Sequence, residues 1–233
     1  TEASVYDFLQ VPPALTRGNV TTMVTDTLRR AIVSLDIKPG TPIDKSEICA
    51  RLGVSRFPVS EALGRLRDEG LVDILPQRGS IVSLIRISEI LEYILIRRAL
   101  ETEAVELAAI SHDDALIVAL RNDLQHQRRA VQANDAAGIH DADLAFHQHI
   151  ADALNLPKLK AVIDSARANL DRARRLIRSP SRRPKALAEH VAIVDAIEAG
   201  DPAAAAQAMR RHLDNMIIHL LKYARRHPEQ FAD

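Results

Sequence analysis

The run Ser55-Arg56-Phe57-Pro58-Val59-Ser60-Glu61-Ala62-Leu63-Gly64-Arg65-Leu66, continuing to Glu69-Gly70-Leu71-Val72, constrains this chain more than any other segment. Val59, Ala62, Leu63 and Leu66 recur at helical spacing, and Ser55 stands where a capping side chain is expected. Pro58 is compatible with that helix because it falls in the first turn, where backbone N–H groups have no intrahelical partner. Upstream, Asp44 is placed to cap a shorter helix through Leu52, and Gly53 to end it in a tight turn. Residues 71–75 and 80–84 are rich in β-branched side chains and flank Pro76-Gln77-Arg78-Gly79, which predicts a hairpin with a basic tip. Two short helices and a wing make a winged helix-turn-helix, whose second helix enters the DNA major groove by its N-terminal end. Arg56, Phe57 and Ser60 then stand at the groove, with Gln77, Arg78 and Gly79 at the wing tip. Lys45, Arg65 and Arg67 are placed either for phosphate contacts or for a solvated surface.

The rest of the chain divides around this unit. Residues 1–15, with Pro12-Pro13 and no sustained period, read as a flexible arm; Tyr6 and Phe8 are its candidates for docking on the body. A helical stripe runs from Val20 through Val24, Leu28, Ala31 and Ile32, and residues 16–86 form one domain. Residues 87–233 change to nearly continuous helix, drawn at 88–110, 113–133, 135–155, 158–178, 184–199 and 202–225. Asn134-Asp135, Pro157, Ser179-Pro180 and Gly200-Asp201-Pro202 punctuate them. The expected fold is mainly α, a winged helix-turn-helix followed by an antiparallel helical bundle.

Net charge does not reveal a partner. Lys+Arg and Asp+Glu both number 31, and between Thr16 and Arg86 there are 11 of the former against 8 of the latter, only +3. Any hold on nucleic acid therefore rests on local clusters, not on a strongly basic domain. The single cysteine, Cys49, excludes an intrachain disulfide. No apolar run approaches the ~20 residues of a membrane span, and the N-terminus lacks a signal peptide's layout. The expectation is a cytoplasmic protein with no membrane partner.

Within the bundle, Asp143 and His147 lie four apart on a face continued by Ile150 and Leu154. His190 shares a stripe with Leu187, Val194 and Ile197, and His212 sits beside Met209, Leu213 and Met216. A lone ionised carboxylate among apolar side chains is costly to bury. One divalent ion held by Asp143, His147, His190 and His212 removes that cost. Imidazole and carboxylate suit zinc first, with nickel, cobalt, manganese or iron as alternatives. The competing reading is of core histidines each satisfied by a hydrogen bond. His140, His149 and His219 compete as ligands, His219 being placed to substitute for His212.

These residues resemble the GntR family of bacterial transcription regulators, in the FadR-like branch with an all-helical FCD ligand-binding domain. The resemblance covers about residues 19–225. It rests on Pro39-Gly40, Leu52-Gly53-Val54-Ser55-Arg56, Pro58-Val59, Glu61-Ala62-Leu63, Leu66, Glu69-Gly70-Leu71-Val72, Arg78-Gly79 and Val82. Beyond these stand Arg97-x-x-Leu100-Glu101, Asp143-x-x-Phe146-His147, His190, Ala196-Ile197, Gly200-Asp201 and His212-Leu213. Six bundle helices match the VanR-like form. The resemblance implies a homodimer on pseudo-palindromic operator DNA, usually repressing, with a small carboxylate-containing effector. It implies a metal on Asp143, His147, His190 and His212, with the effector carboxylate completing the shell. It also places Arg97 in the effector pocket, where a planar fork suits a carboxylate; an ion pair with Glu101 is the alternative. Asn169 and Arg172, on the fourth bundle helix, are further lining candidates. The chain departs from the family at Ser60, usually arginine, and at Phe57, usually small and polar. Serine lacks the bidentate guanine contact of arginine, which shifts base reading toward Arg56 and Arg78.

The function expected is a DNA-binding regulator, a repressor released by an organic acid, and not an enzyme. The alternatives are a regulator for which the ion itself is the signal, and a metal-dependent hydrolase or lyase. The second has no placed general base in the sequence.

Overall fold

The computed structural model describes residues 6, 9, 20–111, 113–177 and 181–233. Apart from Tyr6 and Leu9, the arm expected at 1–15 lies outside these residues, Phe8 included, and so does the Ser179-Pro180 punctuation. The chain separates into two compact units, one of residues 1–87 with 226–233 and one of 88–225.

The first unit is built on α1 (Val20–Ser34), α2 (Lys45–Leu52) and α3 (Arg56–Asp68). Val24, Leu28, Ala31 and Ile32 of α1 meet Val59, Ala62, Leu63 and Leu66 of α3 in one core. Asp44 caps α2 by accepting from the N–H groups of Ser46 and Glu47 at 2.8 and 3.0 Å. Gly53 ends it at φ 64°, a left-handed conformation that glycine adopts without strain. Ser55 has the backbone of a cap but its side chain makes no capping bond. The sequence explains why. An N-cap oxygen accepts from the second or third helical N–H, and the third position here is Pro58, which has none.

The wing pairs β2 (Val72–Leu75) with β3 (Gly79–Val82), antiparallel from Val72↔Val82 to Leu75↔Gly79. Three further strands escape the sequence pattern. Pro42–Ile43 (β1) pairs with β3, giving a sheet of order β1-β3-β2. Ile85–Arg86 (β4) pairs in parallel with Phe231–Ala232 (β5), and Ile87 N donates to Asp233 Oδ1 at 2.9 Å. Residues 226–233, assigned from sequence to the bundle, thus belong to the first unit. Tyr6 and Leu9 are buried in its core, and the Tyr6 hydroxyl accepts from Asp44 N at 2.9 Å.

The second unit holds α4 (Ile87–Ser111), α5 (Asp114–Gln132), α6 (Ala136–Ala153), α7 (Pro157–Ile177), α8 (Arg183–Glu198) and α9 (Pro202–Ala224). A repeated device sets the corners. Asn134 (φ 54°) and Gly200 (φ 65°) each take the left-handed conformation. The next residue, Asp135 or Asp201, then caps the following helix through Gly138 N or Ala204 N. Short corners place consecutive helices side by side, so α5 packs on α6 and α8 on α9. Among the described residues no helix is long and apolar enough to cross a membrane.

Replacing Asp201 by Ala removes a capping acceptor, and urea unfolding should show a loss of about 1 kcal/mol. An unchanged midpoint and slope would show that the Ala204 N–H is satisfied without it.

Candidate metal centre

All six bundle helices contribute to one buried polar cluster. α6 presents Asp143 and His147 one turn apart, α8 presents His190, and α9 presents His212. One ring nitrogen from each of His147, His190 and His212 lies within 4.8 Å of the other two. The three side chains are buried, and Phe146 stacks on His190 with ring centroids 4.3 Å apart.

Each imidazole has its Nδ1 committed elsewhere. His147 Nδ1 lies 2.6 Å from Glu101 Oε2 of α4. His190 Nδ1 lies 2.7 Å from Gln127 Oε1 of α5, and His212 Nδ1 lies 2.9 Å from Glu189 Oε2 of α8. A carboxylate only accepts, so those Nδ1 atoms carry the proton. The Gln127 amide is oriented by its Nε2, which donates to Ala142 O at 3.2 Å, leaving Oε1 to accept from His190. The lone pair of each ring therefore sits on Nε2. Both His147 ring nitrogens are buried outside hydrogen-bond geometry among the described residues, and Nδ1 has its close contact with Glu101 as an ionic one.

The electrostatics favour neutral rings. Burial, reinforced by Arg167, holds the His147 imidazole well below the usual histidine range. Burial also lowers His212, against the opposing hydrogen bond to Glu189. Burial pushes the Glu101 carboxyl up, but Arg97, His147 and Arg167 outweigh it and keep the group well below the carboxylate range. Glu189 follows the same logic: burial raises it, and hydrogen bonds from His212 and Arg182 bring it down. Three buried imidazoles backed by acceptors, with His147 and His212 pushed toward the neutral form, are a donor set that suits a divalent ion. Nitrogens bound to zinc at about 2.1 Å stand roughly 3.4 Å apart, so the cluster fits an ion after small side-chain shifts.

Asp143 is beside this group and not in it. Its Oδ1 is 3.8 Å from His190 Nε2, while Oδ2 is in contact with Arg174 Nη2 and 3.3 Å from Arg167 Nη2. Arg97 is buried and forms both contacts of a fork with Glu101, at 2.5 and 3.3 Å. It also lines a small cavity with Asp143, Arg174, Arg182, His212 and Met216. Asn169 is exposed and donates to Ser165 O; Arg172 is half-buried, and neither lines that cavity. The inward arginines of α7 are Arg167 and Arg174, seven residues apart and so on one face, which Arg172 at two residues from Arg174 cannot share. Of the competing histidines, His140 lies 3.5 Å from Asp171 and His149 lies 2.6 Å from Asp123, while His219 is half-buried outside the cluster. Gln127, Glu189, Arg167, Arg174 and Arg182 were not singled out by sequence. Only spacing could have flagged them, Glu189 by its adjacency to His190 and the arginines by their seven-residue interval.

In the first unit, Arg56, Phe57, Ser60, Gln77, Arg78 and Gly79 are all exposed, Phe57 by 75%. Arg65 is paired with Glu61, and Arg67 with Asp68. Arg56, Lys45 and Arg78 form no ion pair among the described residues; Arg56 approaches only Ser46 Oγ, at 3.5 Å.

Known proteins share both units. Residues 20–82 match the bacterial regulatory proteins of the gntR family, and residues 91–215 match the FCD domain. A transcriptional regulator encoded in an unstable DNA locus of Streptomyces ambofaciens is 32% identical over 88% of this chain and 86% of its own. The transcriptional repressor RspR of Escherichia coli K12 is 30% identical over 88% of this chain and 91% of its own. The crystal structure of a GntR regulator from Rhodococcus sp. RHA1 superposes with a TM-score of 0.68 at 27% identity, covering 87% of this chain and 97% of that one.

The depressed imidazoles set a pH dependence for the ion-free protein. Below pH 6.5 the unfolded chain takes up protons at His147 and His212 while the folded chain does not, so stability falls as pH falls. The lowered Glu101 and Glu189 add to this loss below their ordinary value of 4.5. Thermal melting in chelator should show the midpoint declining from pH 7 toward about pH 5; a flat midpoint would contradict neutral, buried rings.

Proposed function

Because the chain belongs to the gntR family of bacterial regulatory proteins and carries an FCD domain, we propose that this DNA-binding transcription regulator is a metal-containing repressor controlled by a small organic acid. The observation that carries the reading is the convergence of three buried imidazoles, each with Nδ1 committed to an acceptor and Nε2 left as ligand atom. His147, His190 and His212 would hold the ion, with Asp143 close enough to join after a side-chain turn. Neutral nitrogen donors favour zinc, and nickel, cobalt, manganese or iron fit if further oxygen ligands complete the shell. The ion would supply a fixed positive charge to which an effector carboxylate binds. Arg97, Arg174 and Arg182 around the adjoining cavity suit the same anionic class.

Repression is supported by the likeness to RspR, a transcriptional repressor related along most of its length. The DNA reading rests on exposed Arg56 at the start of α3, Arg78 at the wing tip and Lys45 on α2. Phe57 and Ser60 complete the groove-facing end of α3, with Gln77 and Gly79 beside Arg78. Arg65, held by Glu61, contributes at most a phosphate contact. Two copies, acting in the cytoplasm, would bind half-sites about 34–36 Å apart. Effector binding controls release only through a difference in affinity between DNA-competent and incompetent states. The family consists of regulators, and the chain is one of them and not an enzyme.

A gel shift against the gene's own upstream region should show salt-sensitive, sequence-selective binding, and Arg56→Ala should weaken it by about 1–3 kcal/mol without altering the bundle. Loss of non-specific and specific binding in equal measure would assign Arg56 to phosphate only. At the metal centre, Gln127→Leu should lower zinc affinity roughly 10- to 100-fold by freeing the His190 ring. Metal analysis and calorimetry check this, and full-strength binding would remove Gln127 from the site.

A further inference from the structure

Asp143 carries two guanidinium groups on one oxygen. Arg174 Nη2 closes on Oδ2, and Arg167 Nη2 lies 3.3 Å from the same atom and 3.4 Å from the Asp143 carbonyl oxygen. The arginine side chains are only 5% and 2% exposed. The other arginines of the site have carboxylates of their own: Arg97 forks onto Glu101, and Arg182 Nη2 lies 2.6 Å from Glu189 Oε2. Beyond Asp143, Arg174 reaches Asp171 Oδ1 at 3.4 Å, and Arg167 reaches Glu101 Oε1 only at 4.0 Å. Of these carboxylates Asp143 is thus the closest to both, and its Oδ1 lies 3.8 Å from His190 Nε2.

The same group cannot serve both sides at full strength. If Asp143 turns to an ion on the three imidazoles, two buried cations lose the carboxylate they share, which is costly unless another anion takes its place. The cavity lined by Arg97, Arg174, Arg182, His212 and Met216 opens at that spot. We propose that Arg167 and Arg174 are the anion-binding pair of this regulator, and that Asp143 occupies them until a divalent ion claims its carboxylate. This rests on the reading of the three histidines as metal ligands. The anion is a carboxylate, because two planar guanidinium forks already grip one at that place. Ion and carboxylate then bind with positive coupling, and each raises the other's affinity by the same factor. The ion becomes a gate on acid sensing as well as a platform for it.

The test uses the full chain stripped with chelator, Co2+ as the ion and acetate as the anion. In the unaltered protein, saturating acetate should raise Co2+ affinity about fivefold or more, read by visible absorption and calorimetry. Arg174→Met removes the competitor, so Co2+ alone should bind at least as tightly as before, and the help from acetate should shrink to what direct contact with the ion supplies. Arg167→Met should behave likewise. Asp143→Asn frees the arginines, so acetate should bind without any ion while Co2+ affinity drops. Coupling that is absent in the unaltered protein, or intact in both arginine variants, overturns the proposal and leaves the histidine ligands standing. So does weakened Co2+ binding in Arg174→Met. If Co2+ fails to bind the unaltered protein, the ligand reading and the proposal fall together. Should the arginine variants not fold, Asp143→Asn decides: no ion-free acetate binding overturns the idea.

Discussion

The bundle interior depends on three imidazoles being buried together. Each Nδ1 is tied to an acceptor on a different helix: Glu101 on α4, Gln127 on α5 and Glu189 on α8. An unsatisfied buried ring nitrogen costs on the order of 1–3 kcal/mol, so these ties are a condition of packing as well as of ligation. They also fix the tautomer. With the proton on Nδ1, the lone pair of each ring is left on Nε2, the donor atom that the proposed ion would use. Phe146, stacked on His190 and edge-on to His147, closes the cluster on the apolar side.

Around the histidines runs a ring of opposed charge: Arg97 with Glu101, Arg182 with Glu189, Arg167 and Arg174 with Asp143. Buried ion pairs are poor sources of stability, since desolvation consumes most of what the attraction returns. Apolar side chains of similar volume would serve packing as well. A concentration of such pairs at one cavity is therefore an argument for ligand handling. The pairs are not equivalent. Glu101 and Glu189 each also lie against an imidazole Nδ1, at 2.6 and 2.9 Å, whereas Asp143 Oδ1 stands 3.8 Å from His190 Nε2.

Much of the fold was legible because helices advertise themselves by period and by caps. The six bundle segments fall within a few residues of their drawn limits, and Asn134-Asp135 and Gly200-Asp201 mark corners by a mechanism a sequence can show. The three histidines converge because each lies on a stripe of Leu, Val, Ile or Met. What was not legible depends on distance in space. β1, β4 and β5 are two residues long, too short to express a period, and β4–β5 joins residues 146 apart in sequence. The shared grip on Asp143 comes from α7, where an angular step of about 100° per residue separates the inward Arg167 and Arg174 from Asn169 and Arg172. Composition cannot make that distinction, and the apolar seam of α7 only bounds it. Ser55 failed as a side-chain cap for a local reason that was visible in Pro58.

The two units divide the work according to how freely each can be rearranged. The core of the first unit is mainly apolar, from Val24 and Leu28 to Val59, Leu63 and Val82, and close-packed interiors of that kind do not deform by degrees. Its α2 is pinned by the Asp44 cap and the Gly53 turn, and the exposed cations Arg56 and Arg78 stand outside the core. Such a unit keeps one shape. The second unit combines an apolar core with a polar interior, in which one carboxylate has two sets of partners within reach. A switch needs two arrangements close in free energy, and exchanging one ionic partner for another meets that need where expelling a leucine would not. The proposed sensing would therefore draw on the unit with replaceable contacts, and DNA reading on the unit without them.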